Sequence, residues 1–299
     1  MKKSSILCAG MMALSVLAGC AQTTSSSSQT STIAQTTAAA SSGIDLNKRY
    51  VYDVREMTVD NNGEKIWGEV YIPKKEGKMP IVLTSHGMGS NHESGVSYAG
   101  KYAPRGIAVY TWDFRGGSNA NNENRSDGKS TDMSVMTEVS DLEAILDAVK
   151  GWDFVDTDHI YLQGGSQGGL VTAIAGLHRQ DEVTGLILLY PAFGMVDLGA
   201  MYSEDMPEEN QVGSIIVGRR FFKDMEEADV RDQLQNFTKP VLILQGSEDG
   251  LVTPESSEAA AQSYPDAEYH LIEGAGHGFS GEHHDQATNY ALDFMAKHY

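Results

Sequence analysis

Five residues, Gly164-Gly165-Ser166-Gln167-Gly168, put a hydroxyl at the apex of a turn between two segments of different periodicity. His159-Ile160-Tyr161-Leu162-Gln163 is a short apolar run suited to a buried strand, and residues 170–177 suit a helix. A serine on a sharp strand-to-helix turn stands above the sheet edge, where its oxygen can attack a carbonyl carbon. The outer glycines serve that turn, because strand and helix pass too close there for Cβ atoms. The amide of Gln167 opens the helix, where unpaired N–H groups and the helix dipole favour a developing oxyanion.

Such a serine needs a base to take its proton and an acid to orient the base. Two downstream loops offer both, in the chain order serine, acid, histidine. Gln245-Gly246-Ser247-Glu248-Asp249-Gly250 follows the apolar run 241–244, and Glu273-Gly274-Ala275-Gly276-His277-Gly278-Phe279 follows the strand-like segment 269–272. Glu248 and Asp249 compete for the acid. Asp249 is better placed, since Gly250 permits an unusual backbone conformation and Leu251-Val252 re-enter the core. Among nine histidines, His277 is the one bracketed by glycines on a loop that follows a strand. His283, His284 and His298 fall in or near a terminal amphipathic helix and read as solvated; His178 ends a helix and His270 sits in a strand.

The elements that must position these residues are legible from hydrophobic pattern. Segments 50–58 and 65–72 alternate around Asp60-Asn61-Asn62-Gly63 and predict an antiparallel hairpin with one solvated face. Residues 81–84, 107–112, 160–162, 185–190 and 241–244 are near-continuous apolar runs, the mark of strands buried on both faces. Helix-period stretches lie between several of them, at 135–149 and 254–263 among others. Alternating strands and helices imply a parallel, doubly wound sheet with right-handed crossovers. Residues 192–236 break the rhythm, being Met-, acid- and aromatic-rich without a clear strand. They read as an active-site lid, with a peripheral packing insertion as the other reading. Phe193, Tyr202, Phe221, Phe222 and Trp112 are candidates for an acyl pocket or, equally, for the core.

Taken together, Ser85-His86-Gly87, Asp113-Phe114-Arg115-Gly116, Asp127-Gly128-Lys129, Gly165-Ser166-Gln167-Gly168-Gly169, Phe237-Thr238-Lys239-Pro240 and the 271–277 segment resemble the α/β-hydrolase superfamily, and within it the bacterial feruloyl (cinnamoyl) esterases. The resemblance implies an α/β-hydrolase fold: a mostly parallel sheet, an N-terminal antiparallel hairpin and a lid insertion at about 192–236. It implies Ser166 as nucleophile, His277 as base, Asp249 as its orienter, and the amides of Met88 and Gln167 as the oxyanion hole. His86 then reads as structural, bonding backbone beside that hole. Gly165 stands where many such esterases carry histidine, and the lid cannot be matched to theirs residue by residue.

The first residues carry a different message. Lys2 and Lys3 precede an apolar segment, 6–18, too short to span a bilayer. It ends in Leu17-Ala18-Gly19-Cys20, which resembles the lipobox of bacterial lipoproteins. The resemblance implies removal of residues 1–19, lipid on Cys20 and an extracytoplasmic, membrane-anchored protein. A Ser/Thr-rich stretch to residue 44 reads as a flexible tether, and residues 45–299 as the hydrolase domain. Cys8 and Cys20 are the two cysteines, so the domain contains no thiol and cysteine catalysis is excluded. A net charge of −19 argues against nucleic acid as a partner.

The expected function is serine ester hydrolysis of a small-molecule hydroxycinnamoyl or short-acyl ester, without metal or organic cofactor. A serine exopeptidase of the prolyl-oligopeptidase type shares the elbow and the residue order. Those enzymes usually carry a large N-terminal propeller, and the short stretch before Tyr50 leaves no room for one. A non-catalytic binding lipoprotein on the same scaffold is the third reading.

Overall fold

The computed structural model describes residues 43–119 and 121–299. The proposed signal, Cys20 and nearly all of the tether lie outside the described residues. Strands β1 (Tyr52–Asn61) and β2 (Glu64–Pro73) pair antiparallel around Asn62-Gly63. Both turn residues have positive φ, 56° and 88°, as the tight primed turn of a two-residue hairpin requires. The chain continues through β3 (Met79–Ser85), α1 (Glu93–Tyr102), β4 (Ala108–Trp112), α2 (Val135–Val149), β5 (Val155–Gly165), α3 (Gln167–His178) and β6 (Gly185–Leu189). The insertion follows, with β7 (Glu209–Val212), β8 (Ile215–Gly218), α4 (Arg219–Lys223) and α5 (Met225–Ala228). Then come β9 (Val241–Gly246), α6 (Pro254–Ser263), β10 (Ala267–Ile272) and α7 (Gly281–Lys297).

Eight strands form one sheet in the order β1-β2-β4-β3-β5-β6-β9-β10. The hairpin joins β4 antiparallel through β2, and all pairings from β4 to β10 are parallel. This is the α/β-hydrolase fold. Strand parity sorts the side chains into two cores. Ile81, Leu83, Leu162, Leu186, Leu188 and Ile243 face one core with Leu142, Ile145, Leu170 and Ile174. Val82, Tyr161, Ile187, Leu242 and Leu244 face the other with Tyr98, Tyr102, Ala291 and Phe294. Helices α2 and α3 therefore cover one face and α1 and α7 the opposite one.

The switch of faces has a consequence for function. From β3 the chain crosses to β4 on one side, then returns past β3 to β5 on the other. The carboxyl ends of β3 and β5 consequently flank the crevice where open α/β sheets bind ligands.

The structure departs from the sequence pattern in two places. The hairpin does not have one solvated face throughout: β2 lies inside the sheet between β1 and β4 and is almost entirely buried from Ile66 onward, so of the two hairpin strands only β1 is solvated. The insertion is not strandless, since β7 and β8 form their own antiparallel ribbon.

Candidate active site

Ser166 stands between β5 and α3 with φ 55° and ψ −122°, a conformation that non-glycine residues rarely adopt. Its amide donates to Leu189 O at 3.0 Å, and its carbonyl accepts from Gly169 N at 2.9 Å and Ala192 N at 3.0 Å, so the strained turn is held from both sides. A Cβ on Gly164 would collide with Gly168 O and Thr172 Oγ1, and one on Gly168 with the carbonyl oxygens of Ser85 and His86. These are the two close approaches for which the elbow needs glycine.

The structure brings Ser166, His277 and Asp249 together from three loops. His277 Nε2 is 3.1 Å from Ser166 Oγ, and His277 Nδ1 is 2.9 Å from Asp249 Oδ2. With the Nδ1 proton donated to Asp249, Nε2 faces the serine hydroxyl as an acceptor. The Asp249 carboxylate is fully buried, while the His277 side chain is 24% exposed at the cavity. Burial pushes the Asp249 carboxyl upward, but the amides of Val252 and Leu251 and the His277 ring outweigh it and hold it below the usual range. Those amides donate to Oδ1 at 2.9 and 2.8 Å. Glu248, its sequence neighbour, is not part of this set.

A further residue holds Asp249 in place. Gln245, at the end of β9, donates through Nε2 to Asp249 Oδ2 at 3.2 Å and to Val252 O at 2.9 Å; its Oε1 accepts from Ser257 Oγ at 2.6 Å. An uncharged polar residue ending a buried apolar strand was the available signal for it.

Opposite the histidine, the turn after β3 presses on the serine. A Cβ on Gly87 would lie 3.3 Å from Ser166 Cβ and 3.9 Å from its Oγ. Among the described residues, neither the Met88 nor the Gln167 backbone amide has a protein acceptor. His86 supports the turn: its Nδ1 donates to Gly87 O at 2.8 Å, and its Nε2 accepts from Phe114 N at 3.1 Å. Both bonds suit a neutral ring, and burial pushes its pKa down to about 4.

A cavity of about 890 Å³ opens over Ser166. Met88, Met195, Leu198, Val212, Leu251 and Val252 give it apolar walls, with Tyr98 and Tyr190 as its aromatic residues. No Asp, Glu, Lys or Arg among the described residues lines it. The insertion contributes Met195, Leu198 and the turn at 212–214, so it borders the cavity as a lid would. The five aromatic candidates do not line it. Trp112 shares strand parity with Tyr110 and faces the α2–α3 core, where Phe193, Phe221 and Phe222 are also buried. Tyr202 packs on the same core and donates its hydroxyl to Glu204. His284 is buried rather than solvated, its ring 4.4 Å from Tyr98.

Comparison with known proteins adds context to this geometry. The model of the prolyl oligopeptidase family matches residues 96–299. Est1E from Butyrivibrio proteoclasticus, solved with ferulic acid bound, is similar at TM-score 0.73 and 26% identity, covering 81% of this chain and 98% of that one. A second structure of Est1E gives 0.71 and 24%, with the same 81% and 98% coverage. DcsB in complex with its substrate analogue gives 0.69 and 18%, covering 83% of this chain and 100% of the other. At these last two identities the likeness is one of fold. No curated protein matches the chain.

Proposed function

This chain belongs to the prolyl oligopeptidase family and is a serine hydrolase of the α/β-hydrolase type, and from that premise we propose that it is a carboxylic-ester hydrolase of the feruloyl (cinnamoyl) type. The observation that carries the reading is the uncharged wall of the cavity over Ser166. An ammonium or carboxylate entering it would lose hydration without finding a counter-charge, whereas a neutral aryl or short acyl ester would not. The likeness to Est1E, a protein that holds ferulic acid, supports the same class.

In the proposed mechanism Ser166 Oγ attacks the ester carbonyl carbon while His277 Nε2 takes its proton. The carbonyl oxygen becomes an oxyanion received by the amides of Met88 and Gln167. His277 returns the proton to the leaving alcohol, and an acyl-enzyme remains. Water, deprotonated by His277, then attacks the acyl carbon; the ester bond to Ser166 breaks, Oγ regains the proton and the acid departs. Asp249 fixes the ring and balances its transient positive charge.

Family membership favours a second reading, hydrolysis of a peptide amide by the same groups. Assays of methyl ferulate, p-nitrophenyl butyrate and a dipeptide amide, each with the wild type and Ser166→Ala, separate the two. Ester turnover, with kcat in the variant lower by on the order of 10⁴, is the expected result. A serine variant with undiminished turnover would sink the mechanism, and preferential cleavage of the amide would replace the ester reading.

We also read residues 1–19 as a lipoprotein signal and Cys20 as the lipidated residue, placing the enzyme outside the cytoplasm on a membrane. Labelled palmitate should enter the wild type and not Cys20→Ser.

A further inference from the structure

Behind the elbow, a carboxyl group is buried where the proposed mechanism makes no use of it. Glu138 is fully buried on α2, and its Oε2 accepts from Gln167 Nε2 at 2.7 Å. The second carboxyl oxygen, Glu138 Oε1, and the carboxamide oxygen, Gln167 Oε1, are both buried without a hydrogen-bond partner. No cation pairs with Glu138 among the described residues. Arg115, nearby in the loop after β4, is engaged by Asp141 and Glu64.

An ionised carboxylate in that position would be an uncompensated buried charge, among the costliest groups a protein can hold. Adding one proton removes the charge and also supplies the missing donor for the two orphaned oxygens. We propose that Glu138 is a positioning residue for Gln167: its carboxylic acid and the Gln167 carboxamide form a two-bond pair, Nε2–H to Oε2 in one direction and Oε1–H to Oε1 in the other. This pair ties α2 to the first turn of α3 and fixes the residue whose backbone amide faces the oxyanion. The inference rests on the reading of that amide as an oxyanion donor.

The titratable groups around the pair do not compete for the proton. Asp141, on the same face of α2, accepts from Arg115 N, Arg115 Nε and Asn61 Nδ2. Asp224 accepts from Ser134 Oγ at the start of α2. His86 flanks Gly117 from the other side: a Cβ there would lie 3.1 Å from His86 Cε1 and 3.2 Å from Glu138 Oε1. Its Nδ1 proton is already donated to Gly87 O. Burial, with Asp141 as a lesser contributor, holds the Glu138 carboxyl well above the usual range despite the Gln167 bond.

Glu138→Gln keeps a neutral two-bond partner, and Glu138→Leu removes both bonds. At neutral pH the infrared difference between wild type and Glu138→Gln should contain the carbonyl stretch of a protonated carboxylic acid. Glu138→Leu should lower kcat by roughly 10- to 100-fold, less than the ~10²–10³ of a deleted oxyanion donor, with little change in KM. Glu138→Gln should retain kcat within about threefold. Because the folded pKa is raised, the pair's contribution is complete below about pH 4 and lost as pH rises through the folded value. Relative to Glu138→Gln, wild type should therefore lose Tm as pH rises above about 4 and lose activity as pH rises through the folded value. A difference spectrum containing only a carboxylate band would overturn the proposal, as would a Glu138→Leu enzyme that loses Tm but keeps kcat. The infrared result does not depend on catalysis, so it stands or falls separately from the serine mechanism.

Discussion

Tyr190 fills the space that Gly165 leaves beside Ser166: a Cβ on Gly165 would lie 3.0 Å from the Tyr190 hydroxyl and 3.2 Å from its Cε2. Tyr190 also takes a positive φ of 38° at the end of β6, and its ring packs edge-on to His277 at 4.9 Å. The small residue at the elbow and the tyrosine under the histidine thus form one steric unit. Gly165→Ala should push Tyr190 against His277 and lower kcat/KM by about tenfold. Tyr190→Phe in that background removes the colliding oxygen and should recover much of the loss. A double-mutant cycle on an ester substrate measures the coupling, and strictly additive effects would refute it.

Asp249 predicts a rate effect and a pH effect. Asn at 249 can present the wrong donor to His277, so Asp249→Asn should lower kcat by roughly 10⁴. The carboxyl is held below its ordinary range, so its contribution to stability is complete above about pH 4 and disappears as pH falls through the lower folded value. The Tm difference between wild type and Asp249→Asn should be widest near neutrality and close on acidification. A difference that widens in acid would contradict the assignment.

Gln245 reaches Asp249 and Val252 O through one amide group, so its replacement should loosen the acid without removing it. Gln245→Leu should reduce kcat about tenfold with KM nearly unchanged, and both it and Gln245→Glu should shift the pH–rate profile. Steady-state kinetics across pH separates this from a simple loss of folded protein, which scales kcat alone and leaves the profile in place.

Gly168 meets the carbonyl oxygens of Ser85 and His86, which are backbone and cannot swing aside. Gly168→Ala should therefore cost about 3 kcal/mol in denaturant unfolding, with activity lost alongside. Gly194, which has nothing within 4 Å of an added Cβ, should accept alanine with little change.

Most of the positioning frame was legible because it depends on local pattern. The apolar runs became strands, Asn62-Gly63 became the hairpin turn, and the order of Ser166, Asp249 and His277 matched three strand-end loops. What escaped depends on contacts between distant segments. β7 has the sequence Glu209-Asn210-Gln211-Val212, too polar to read as a strand before its partner β8 is known. Trp112 reads equally as pocket or core in the sequence, and only strand register places it on the α2–α3 face. Glu138 did leave a trace, as an acid three residues after Val135 and four before Leu142 on the apolar stripe of α2. Only the position of Gln167 explains it.

The uncharged cavity gives the ester reading its sharpest test, because charge can be added where none lines the wall. Leu198 borders the cavity from the insertion and is partly exposed. Wild type should hydrolyse a neutral butyryl ester at least about tenfold faster than an alanyl ester of equal leaving group, since the latter's ammonium finds no partner. Leu198→Asp supplies that partner and should move the ratio toward the alanyl ester by about tenfold. Each ester's intrinsic reactivity is the same with both enzymes, so the change in the ratio between wild type and Leu198→Asp reports the acyl subsite alone. A wild type that already prefers the alanyl ester would mean that an ammonium is accommodated without a counter-charge. The peptidase reading would then replace the esterase one on the same serine.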